Sequence, residues 1–203
     1  MSGSVAAPRR TQQERREQTI AKILTAAVVS LGERGYAATT MQEVCHRSGV
    51  SSGGLFRHFP TRVDLMVAAA NHVRAQQFEN FRSALERVDP ASMVDCLRLL
   101  RAACRAPINS AWYELLGAAR TDTELRERIA TVAVEYHAEI AAFARTLPAA
   151  ANIPSAHLDA VLFTAVHLFD GEAVSSVLDP QPDQDELRLQ MLARALSGGS
   201  LYE

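Results

Sequence analysis

The segment Thr39–Arg62 constrains the fold most, because its pattern is typical of two short helices joined by a tight turn. Thr40 and Glu43 stand in a Thr-x-x-Glu arrangement, which predicts a reciprocal capping box at the start of the first helix. Gly49 is expected to end that helix, since glycine adopts the left-handed conformation of a helix terminus without a steric penalty. Ser51 is a good N-cap for the second helix. The pattern therefore predicts a helix-turn-helix, whose geometry allows the second helix to enter the major groove of DNA.

The second of these helices contains features that favour its stability and features that oppose it. Leu55 and Phe59 lie one turn apart and form an inward apolar face, and Pro60 ends the helix. Gly53 and Gly54 stand inside it, and each interior glycine costs about 0.5–1 kcal/mol relative to alanine. We therefore expect a helix that is looser than most in the absence of DNA, unless the packing of Leu55 and Phe59 alone holds it.

The same segment, with the helix before it, resembles the DNA-binding domain of the tetracycline-repressor (TetR) family of bacterial transcription regulators. The resemblance covers roughly the first third of the chain, and its specificity comes from the whole string of motifs rather than from any one of them. The matching pieces are Glu33-Arg34-Gly35-Tyr36, Thr39-Thr40, Ser48-Gly49-Val50-Ser51, Leu55-Phe56-Arg57-His58-Phe59 and Arg62.

The resemblance implies which residues meet DNA. Residues expected to contact phosphates are Arg15, Thr40, His58 and Arg62. Residues expected to face base edges are Ser51, Ser52, Gly53, Gly54 and Arg57, and Thr39 and Phe56 complete the expected DNA-binding set. Arg57 is the best base reader, because its guanidinium fork can pair with guanine.

Three positions depart from the family pattern and remove common contacts. Phe56 replaces the usual tyrosine, Ser52 stands where a lysine is frequent, and Gly54 stands where a threonine is common. We therefore expect Arg57, Arg62 and the N-terminal arginines to carry more of the DNA binding than the family pattern suggests.

Charge is distributed unevenly along the chain, although the net charge is only −2. Residues 1–62 contain nine basic and four acidic residues, a balance of +5, whereas residues 63–203 have a balance of −7. A basic end joined to an acidic body orients the molecule toward phosphate. The sequence thus predicts an N-terminal arm and DNA-binding domain over 1–62 and a second domain over 63–203.

The remaining sequence predicts helices throughout, and hence an all-α fold, since no alternating strand pattern of any length is present. The expected segments are Ala91–Arg105, Ser110–Ala119, Thr123–Leu147, Ser155–Val177 and Asp185–Leu196. No apolar run approaches the roughly 18–20 residues that span a bilayer, and residues 1–10 lack the apolar core of a secretory signal. We therefore expect a cytoplasmic protein with no membrane partner.

The last two predicted helices have apolar residues on more than one side, which indicates burial beyond what their own chain can provide. With the family resemblance, this predicts a homodimer joined through a four-helix interface. The residues expected in that interface are Leu158, Leu162, Val166, Phe169, Leu187 and Met191.

Members of the family usually have a ligand cavity in the helical body, and the resemblance implies one here. Because these helices carry little charge, we expect its ligand to be a hydrophobic or aromatic compound. Candidate contacts are aromatic or polar residues on apolar helices, although such residues are more often ordinary core. They are Trp112, Tyr113, Tyr136, Phe163 and His167.

The predicted function is that of a ligand-responsive repressor that binds a palindromic DNA operator as a homodimer. One alternative keeps the fold but makes the trigger a thiol or metal, using the cysteines at positions 45, 96 and 104. A helical enzyme is the alternative of another class, and no Gly-x-Ser-x-Gly, phosphate-loop or His-Glu-x-x-His motif supports it. We expect no cofactor and no metal site, and we expect the cysteines to be buried and reduced.

Overall fold

A computed structural model describes residues 11–198, and within that range the chain forms nine α-helices and one short 3-10 helix, with no strand. The expected all-α fold is therefore confirmed. The helices are α1 (Gln12–Ala38), α2 (Met41–Ser48), α3 (Ser52–His58), α4 (Arg62–Leu85), α5 (Met93–Cys104), α6 (Asn109–Ala119), α7 (Thr123–Ala144), α8 (Ser155–Ser175) and α9 (Pro182–Leu196), with the 3-10 helix at Pro148–Ala150.

Helix α1 is set by a cap at one end and a glycine near the other. The Thr11 hydroxyl accepts the Glu14 amide, and the Glu14 carboxylate accepts the Thr11 amide, so the helix starts with a complete capping box. Gly35 breaks the helical backbone at φ 78°, where a side chain would also approach the Glu114 carboxylate. The arginines at positions 9 and 10 lie outside the described residues.

Helix α2 begins and ends as its sequence predicts, but its capping box is incomplete. The Thr40 hydroxyl accepts the Glu43 amide at 3.1 Å, and Gly49 ends the helix in the left-handed conformation at φ 68°. The reciprocal bond is absent, because the Glu43 carboxylate instead pairs with Arg34 at 3.1 Å and with Arg47 at 3.4 Å. Charge-assisted bonds to two guanidinium groups are stronger partners than a single backbone amide.

Helix α3 is short and rests on few side chains. The Ser51 hydroxyl accepts the Gly54 amide at 3.2 Å, which confirms the expected N-cap. Leu55 is fully buried and Phe59, at the helix end, is nearly so. A Cβ atom at Gly54 would lie 3.0 Å from Val50 Cγ1, so close approach of the turn valine accounts for glycine at this position.

Helix α4 joins the helix-turn-helix to the rest of the molecule. It begins with a complete capping box between Thr61 and Asp64. Its buried face belongs to a core that it shares with α1, α2, α3, α6 and α7. The packing therefore does not mark the expected division between residues 1–62 and 63–203, which stays a prediction. Members of this core from α4 are Leu65, Met66, Ala69, Ala70 and Val73.

A second, smaller core packs α5, α8 and α9 together, and it includes Leu97, Phe169 and Leu189. Phe169 is 0% exposed and Leu158 is 6% exposed within their own chain. Both residues were expected at a dimer interface; their burial within one chain does not support that expectation, which stays a prediction. Within residues 11–198, no helix combines the length and the hydrophobicity that spanning a membrane requires.

Candidate nucleic-acid interface and internal cavity

The start of α1 and the end of α3 face each other across a surface groove. Its basic lining residues are Arg15, Arg16, Arg57 and His58, with Glu17 as the acidic one. Three expected DNA-binding residues, Arg15, Arg57 and His58, are thus brought together by the fold. Arg16 was not among them, although its position next to Arg15 in the sequence was a sufficient signal. The groove can bind an anionic partner such as a phosphate backbone.

The outer face of α3 carries small and polar groups together with one aromatic ring. Ser51, Ser52, Gly53 and Arg57 are exposed, and the Phe56 side chain is 46% exposed. Leu55, and none of these residues, packs α3 against the core. The face is therefore free to meet a partner, and Thr40 is exposed beside it.

Thr39 and Gly54 are placed differently from the sequence-based expectation. The Thr39 side chain is fully buried; its hydroxyl donates to the Gly35 carbonyl at 2.8 Å and pairs with the Ser30 hydroxyl at 3.0 Å. The Cβ direction of Gly54 points toward Val50 rather than outward. Thr39 is thus a structural residue of the α1–α2 junction; its burial does not support the expected DNA contact, which stays a prediction.

Arg62 is also committed to internal contacts. Its Nε donates to the Thr39 carbonyl at 3.0 Å, a terminal nitrogen donates to the Tyr36 carbonyl, and the guanidinium lies 3.9 Å above the Tyr36 ring. These contacts hold the turn between α1 and α2 against the start of α4. The expected phosphate contact is not supported by this placement.

Polar contacts tie the helix-turn-helix to the helical body. The Tyr36 amide donates to Glu114 at 3.1 Å on α6, and the Tyr36 hydroxyl donates to Asp122 at 2.9 Å, the N-cap of α7. Burial and the Asp122 hydrogen bond raise the pKa of Tyr36. Arg128 on α7 pairs with Asp64 at 2.8 Å and, together with Thr61, lowers the pKa of Asp64. No motif or periodicity in the sequence indicated these pairs, which join residues more than 60 positions apart.

An internal cavity of about 120 Å³ lies between α4, α5, α7 and α8. Its lining is almost wholly apolar, and the side chains of Gln77 and Tyr136 supply the oxygen and nitrogen atoms among the described lining residues. Two rings of the wall, Phe78 and Phe81, make edge-to-face contacts with Phe143 at centroid distances of 5.3 and 6.0 Å. Such a cavity suits a small apolar molecule with few polar groups.

Comparison with known proteins decides the family. A family model described as bacterial regulatory proteins, tetR family, matches residues 23–69. The HTH-type transcriptional regulator Rv2912c of Mycobacterium tuberculosis is 38% identical over 192 residues, which cover 94% of this chain and 98% of that protein. The chain belongs to the TetR family of bacterial transcriptional regulators.

Solved structures agree with this regulator in fold. A TetR-family transcriptional regulator from Rhodococcus sp. superposes with a TM-score of 0.70 at 22% identity, covering 88% of this chain and 98% of that one. The multidrug binding protein EbrR, complexed with malachite green, superposes with a TM-score of 0.61 at 24% identity, covering 89% of this chain and 97% of that one. At these identities the likeness establishes the fold alone.

Family membership decides between a regulator and an enzyme. TetR-family regulators bind DNA and are not enzymes, so the helical-enzyme alternative is set aside. The thiol- or metal-responsive alternative gains no support, because burial raises the pKa of the Cys96 and Cys104 thiols and disfavours the reactive thiolate. Within residues 11–198, no three potential metal ligands come together.

Of the five residues expected to contact a ligand in this TetR-family regulator, only Tyr136 lines the cavity. Trp112 packs against the main core from α6, and the Tyr113 hydroxyl lies 2.7 Å from the Asp170 carboxylate. Phe163 contacts His137 and His167, with ring centroids 4.6 and 6.4 Å away. None of these four residues lines this cavity, and their contact with a ligand stays a prediction.

Gln77 and the phenylalanines of α4 were missed as cavity residues. Gln77 continues the buried stripe of Ala70 and Val73 at helical spacing, so a polar residue on an apolar face was the available signal. The phenylalanines had no comparable signal, because an aromatic residue on a core face is the ordinary case.

The outer faces of α8 and α9 and the turn that follows α8 expose apolar side chains. Val174 is 53% exposed, Val177 81%, Leu178 91% and Leu187 50%. Leu162, Val166 and Met191 are half-buried in the single chain. Apart from Leu158 and Phe169, the expected interface residues therefore remain accessible on the regulator.

Buried charges join the same two helices to α5. Glu172 of α8 and Asp185 of α9 are both buried, and Arg105 reaches them at 3.3 and 2.5 Å. Arg188 pairs with Glu172 at 2.8 Å and also contacts Asp185. This cluster fixes the positions of α8 and α9, and neither periodicity nor a motif in the sequence indicated it.

Proposed function

We propose that this TetR-family regulator is a homodimeric repressor that binds a palindromic operator and is released by a small apolar ligand. The observation that carries the proposal is that α4 forms both a wall of the cavity, through Gln77, Phe78 and Phe81, and the connection to α3 at its other end. A ligand that favours a different tilt of α4 would change the position of α3.

The fold and a related ligand complex support the ligand-responsive part. The cavity lining has no charged side chain among the described residues, so it favours a neutral or weakly polar compound. EbrR, which shares the fold, holds the aromatic dye malachite green. An aromatic effector is thus consistent with both the lining and this relative.

The exposed apolar face of α8 and α9 supports the homodimer. Val174 and Leu187 on these helices, and Val177 and Leu178 in the turn after α8, leave apolar side chains in water, and exposed apolar side chains of this kind mark interaction sites. A two-fold dimer would present two copies of α3 about one DNA turn apart, roughly 34–36 Å, and would favour a palindromic site.

Arg57 and the arginines at the start of α1 would divide the work of binding. Arg57, on the exposed face of α3, would read bases, while Arg15, Arg16 and His58 would contact phosphates. Arg57→Ala should relax sequence preference, whereas Arg15→Ala should weaken all sequences alike and reduce the salt slope by about one. Arg62→Ala should instead destabilise the α1–α2 junction, because Arg62 holds it internally.

The decisive experiment measures binding of the protein to DNA from upstream of its own gene by the fluorescence anisotropy of that DNA. The measurement is made with and without a panel of small aromatic compounds. We expect specific binding that at least one compound releases. Ala144→Leu, which adds volume to the cavity wall, should bind DNA normally but lose the response. Ala138→Leu is the matched control, because Ala138 lies on the same helix but is exposed.

Failure of every compound to change DNA binding in wild type, or an equal loss of response in both alanine variants, would contradict the ligand-responsive part. The dimer is tested separately by sedimentation: Val174→Glu should dissociate it, whereas Val134→Glu, at an exposed site on α7, should not. A monomeric wild-type protein at micromolar concentration would contradict the dimer.

A further inference from the structure

The cavity has one polar end, formed by a chain of side-chain hydrogen bonds. The Tyr136 hydroxyl bonds to Gln77 Oε1 at 2.9 Å, and Gln77 Nε2 bonds to Asn109 Oδ1. Asn109 Nδ2 continues the chain to the backbone carbonyls of Ala103 at 2.8 Å and Cys104 at 3.0 Å. Gln77 and Asn109 are both buried, so water does not compete for these bonds.

The direction of every bond in this chain is fixed by its backbone end. A carbonyl oxygen can only accept, so the Asn109 group that faces two carbonyls must be the NH₂ group. Asn109 Oδ1 therefore faces Gln77 and must receive a proton from Gln77 Nε2. Gln77 Oε1 is left to face Tyr136, and the Tyr136 hydroxyl must donate to it.

The Tyr136 hydroxyl consequently has no proton to offer a ligand. Its one O–H bond is directed at Gln77, while its oxygen keeps a lone pair that can accept. Burial, and secondarily the neighbouring Cys104 and Asp170, raise the pKa of Tyr136, so the hydroxyl stays protonated at every physiological pH. The Tyr136 hydroxyl therefore donates its hydrogen bond to Gln77 at every physiological pH.

We infer that the cavity selects a one-ring aromatic alcohol or amine, which donates a single hydrogen bond to the Tyr136 oxygen. A cavity of about 120 Å³ is close to the roughly 150 Å³ of an apolar protein cavity that binds benzene. The inference rests on the proposed function only in assigning this cavity to the ligand. It adds that Tyr136 is the specificity-determining residue and that Gln77 sets its hydrogen-bonding direction.

The test measures binding of three probes of similar size to the full-length protein without DNA, by calorimetry at millimolar ligand. Phenol offers a donor, benzaldehyde offers only an acceptor, and toluene offers neither. Wild type should bind phenol roughly three- to tenfold more tightly than either other probe, the range expected for one hydrogen bond.

Gln77→Met gives the sharpest outcome, because it removes the group that holds the Tyr136 proton. The freed Tyr136 hydroxyl can then donate a hydrogen bond to a ligand. The affinity for benzaldehyde should therefore rise to that for phenol, while the affinity for toluene stays unchanged. A gain of this kind cannot come from misfolding.

Tyr136→Phe should remove the preference for phenol. Tyr113→Phe is the matched control, because that hydroxyl is bonded to Asp170 and lies outside the cavity, and it should keep the wild-type preference.

Several results would overturn the inference. They are equal binding of phenol and benzaldehyde in wild type, no binding of any probe, a full phenol preference in Tyr136→Phe, or no gain for benzaldehyde in a folded Gln77→Met protein. Because DNA is absent from these measurements, a failure here is distinct from a failure of ligand-induced release. If ligands release the regulator from DNA but hydrogen-bond donors are not preferred, the proposed function stands and only the inferred ligand specificity is wrong.

Discussion

Helices α3 and α9 lie in the N-terminal and C-terminal parts of the described chain, and they are held by different kinds of contact. Helix α3 is capped by Ser51 through a bond to an amide three residues away, and it buries one side chain completely, Leu55. Helix α9 has no side-chain cap, and its charged residues reach α5 and α8 instead, where Asp185 meets Arg105. Local bonds leave the outer face of α3 free for DNA, whereas long-range bonds fix α9 beside the exposed apolar face.

This difference predicts that the two regions lose stability separately. A helix that depends on one anchor can detach without disturbing distant packing, since proteins open in partly independent units. A helix that is cross-linked by buried charges should resist opening until its partners are also lost. Substitutions at each region, read by hydrogen exchange over the whole chain, test that contrast.

The largest effect is expected at the anchor of α3. Leu55→Ala should lower the free energy of unfolding by about 2–5 kcal/mol, because it leaves a cavity under a helix that has no other fully buried side chain. Urea denaturation measures the loss, and hydrogen exchange should rise in α2 and α3 before α8. Phe56→Ala, at an exposed neighbour, should change stability by no more than about 0.5 kcal/mol. Uniform loss of protection in all helices would remove the contrast.

A smaller effect is expected from the buried charges. Glu172→Gln should cost about 1–3 kcal/mol, because Arg105 and Arg188 lose a buried partner but can still reach solvent. Faster exchange should be confined to α8 and α9. Glu135→Gln removes the exposed partner of Arg74 and should have little effect. If α3 loosened as much as α9 in the Glu172 variant, the two regions would be coupled after all.

Two glycines four positions apart in the helix-turn-helix should respond in opposite directions to substitution by alanine. Gly49→Ala should cost about 1 kcal/mol, because φ is 68° there and alanine is strained in that conformation although space is free. Gly53→Ala should stabilise the protein by about 0.5–1 kcal/mol, because Gly53 is helical and nothing lies near its Cβ position. Thermal unfolding of both variants measures the pair. The same sign for both would show that propensity does not limit α3.

The smallest effect concerns pH. Glu186 on α9 accepts hydrogen bonds from Arg98 and Arg101 at 2.8 Å each, which lowers its pKa from 4.5 to about 2. A carboxyl group with a depressed folded pKa stabilises the protein above its unfolded pKa, and this contribution is lost as pH falls. Wild type should therefore lose stability between about pH 4.5 and 2 more steeply than Glu186→Gln.

The control for the pH measurement is Glu79→Gln, at an exposed position on α4. This variant should keep the acid slope of the wild-type protein. Identical acid slopes for wild type and Glu186→Gln would mean that the α5–α9 pairs do not persist in solution.

Sequence alone determined the parts of this regulator that depend on neighbours along the chain. The cap at Ser51 and the left-handed Gly49 were predicted and confirmed, because the cap joins residues only three positions apart and a terminal glycine needs no distant partner. The all-α fold and the TetR-family identity follow from the same local patterns.

Tertiary structure decided which side of each helix meets which partner. Thr39 and Phe169 proved to be core, and Arg62 proved to be an internal clamp, although their local patterns permit a surface role. Gln77 became the polar end of a cavity because Asn109 and Tyr136, more than 30 positions away, were brought to it. Helical periodicity identifies an apolar stripe, but the angle at which two helices cross decides whether that stripe meets core, cavity or solvent.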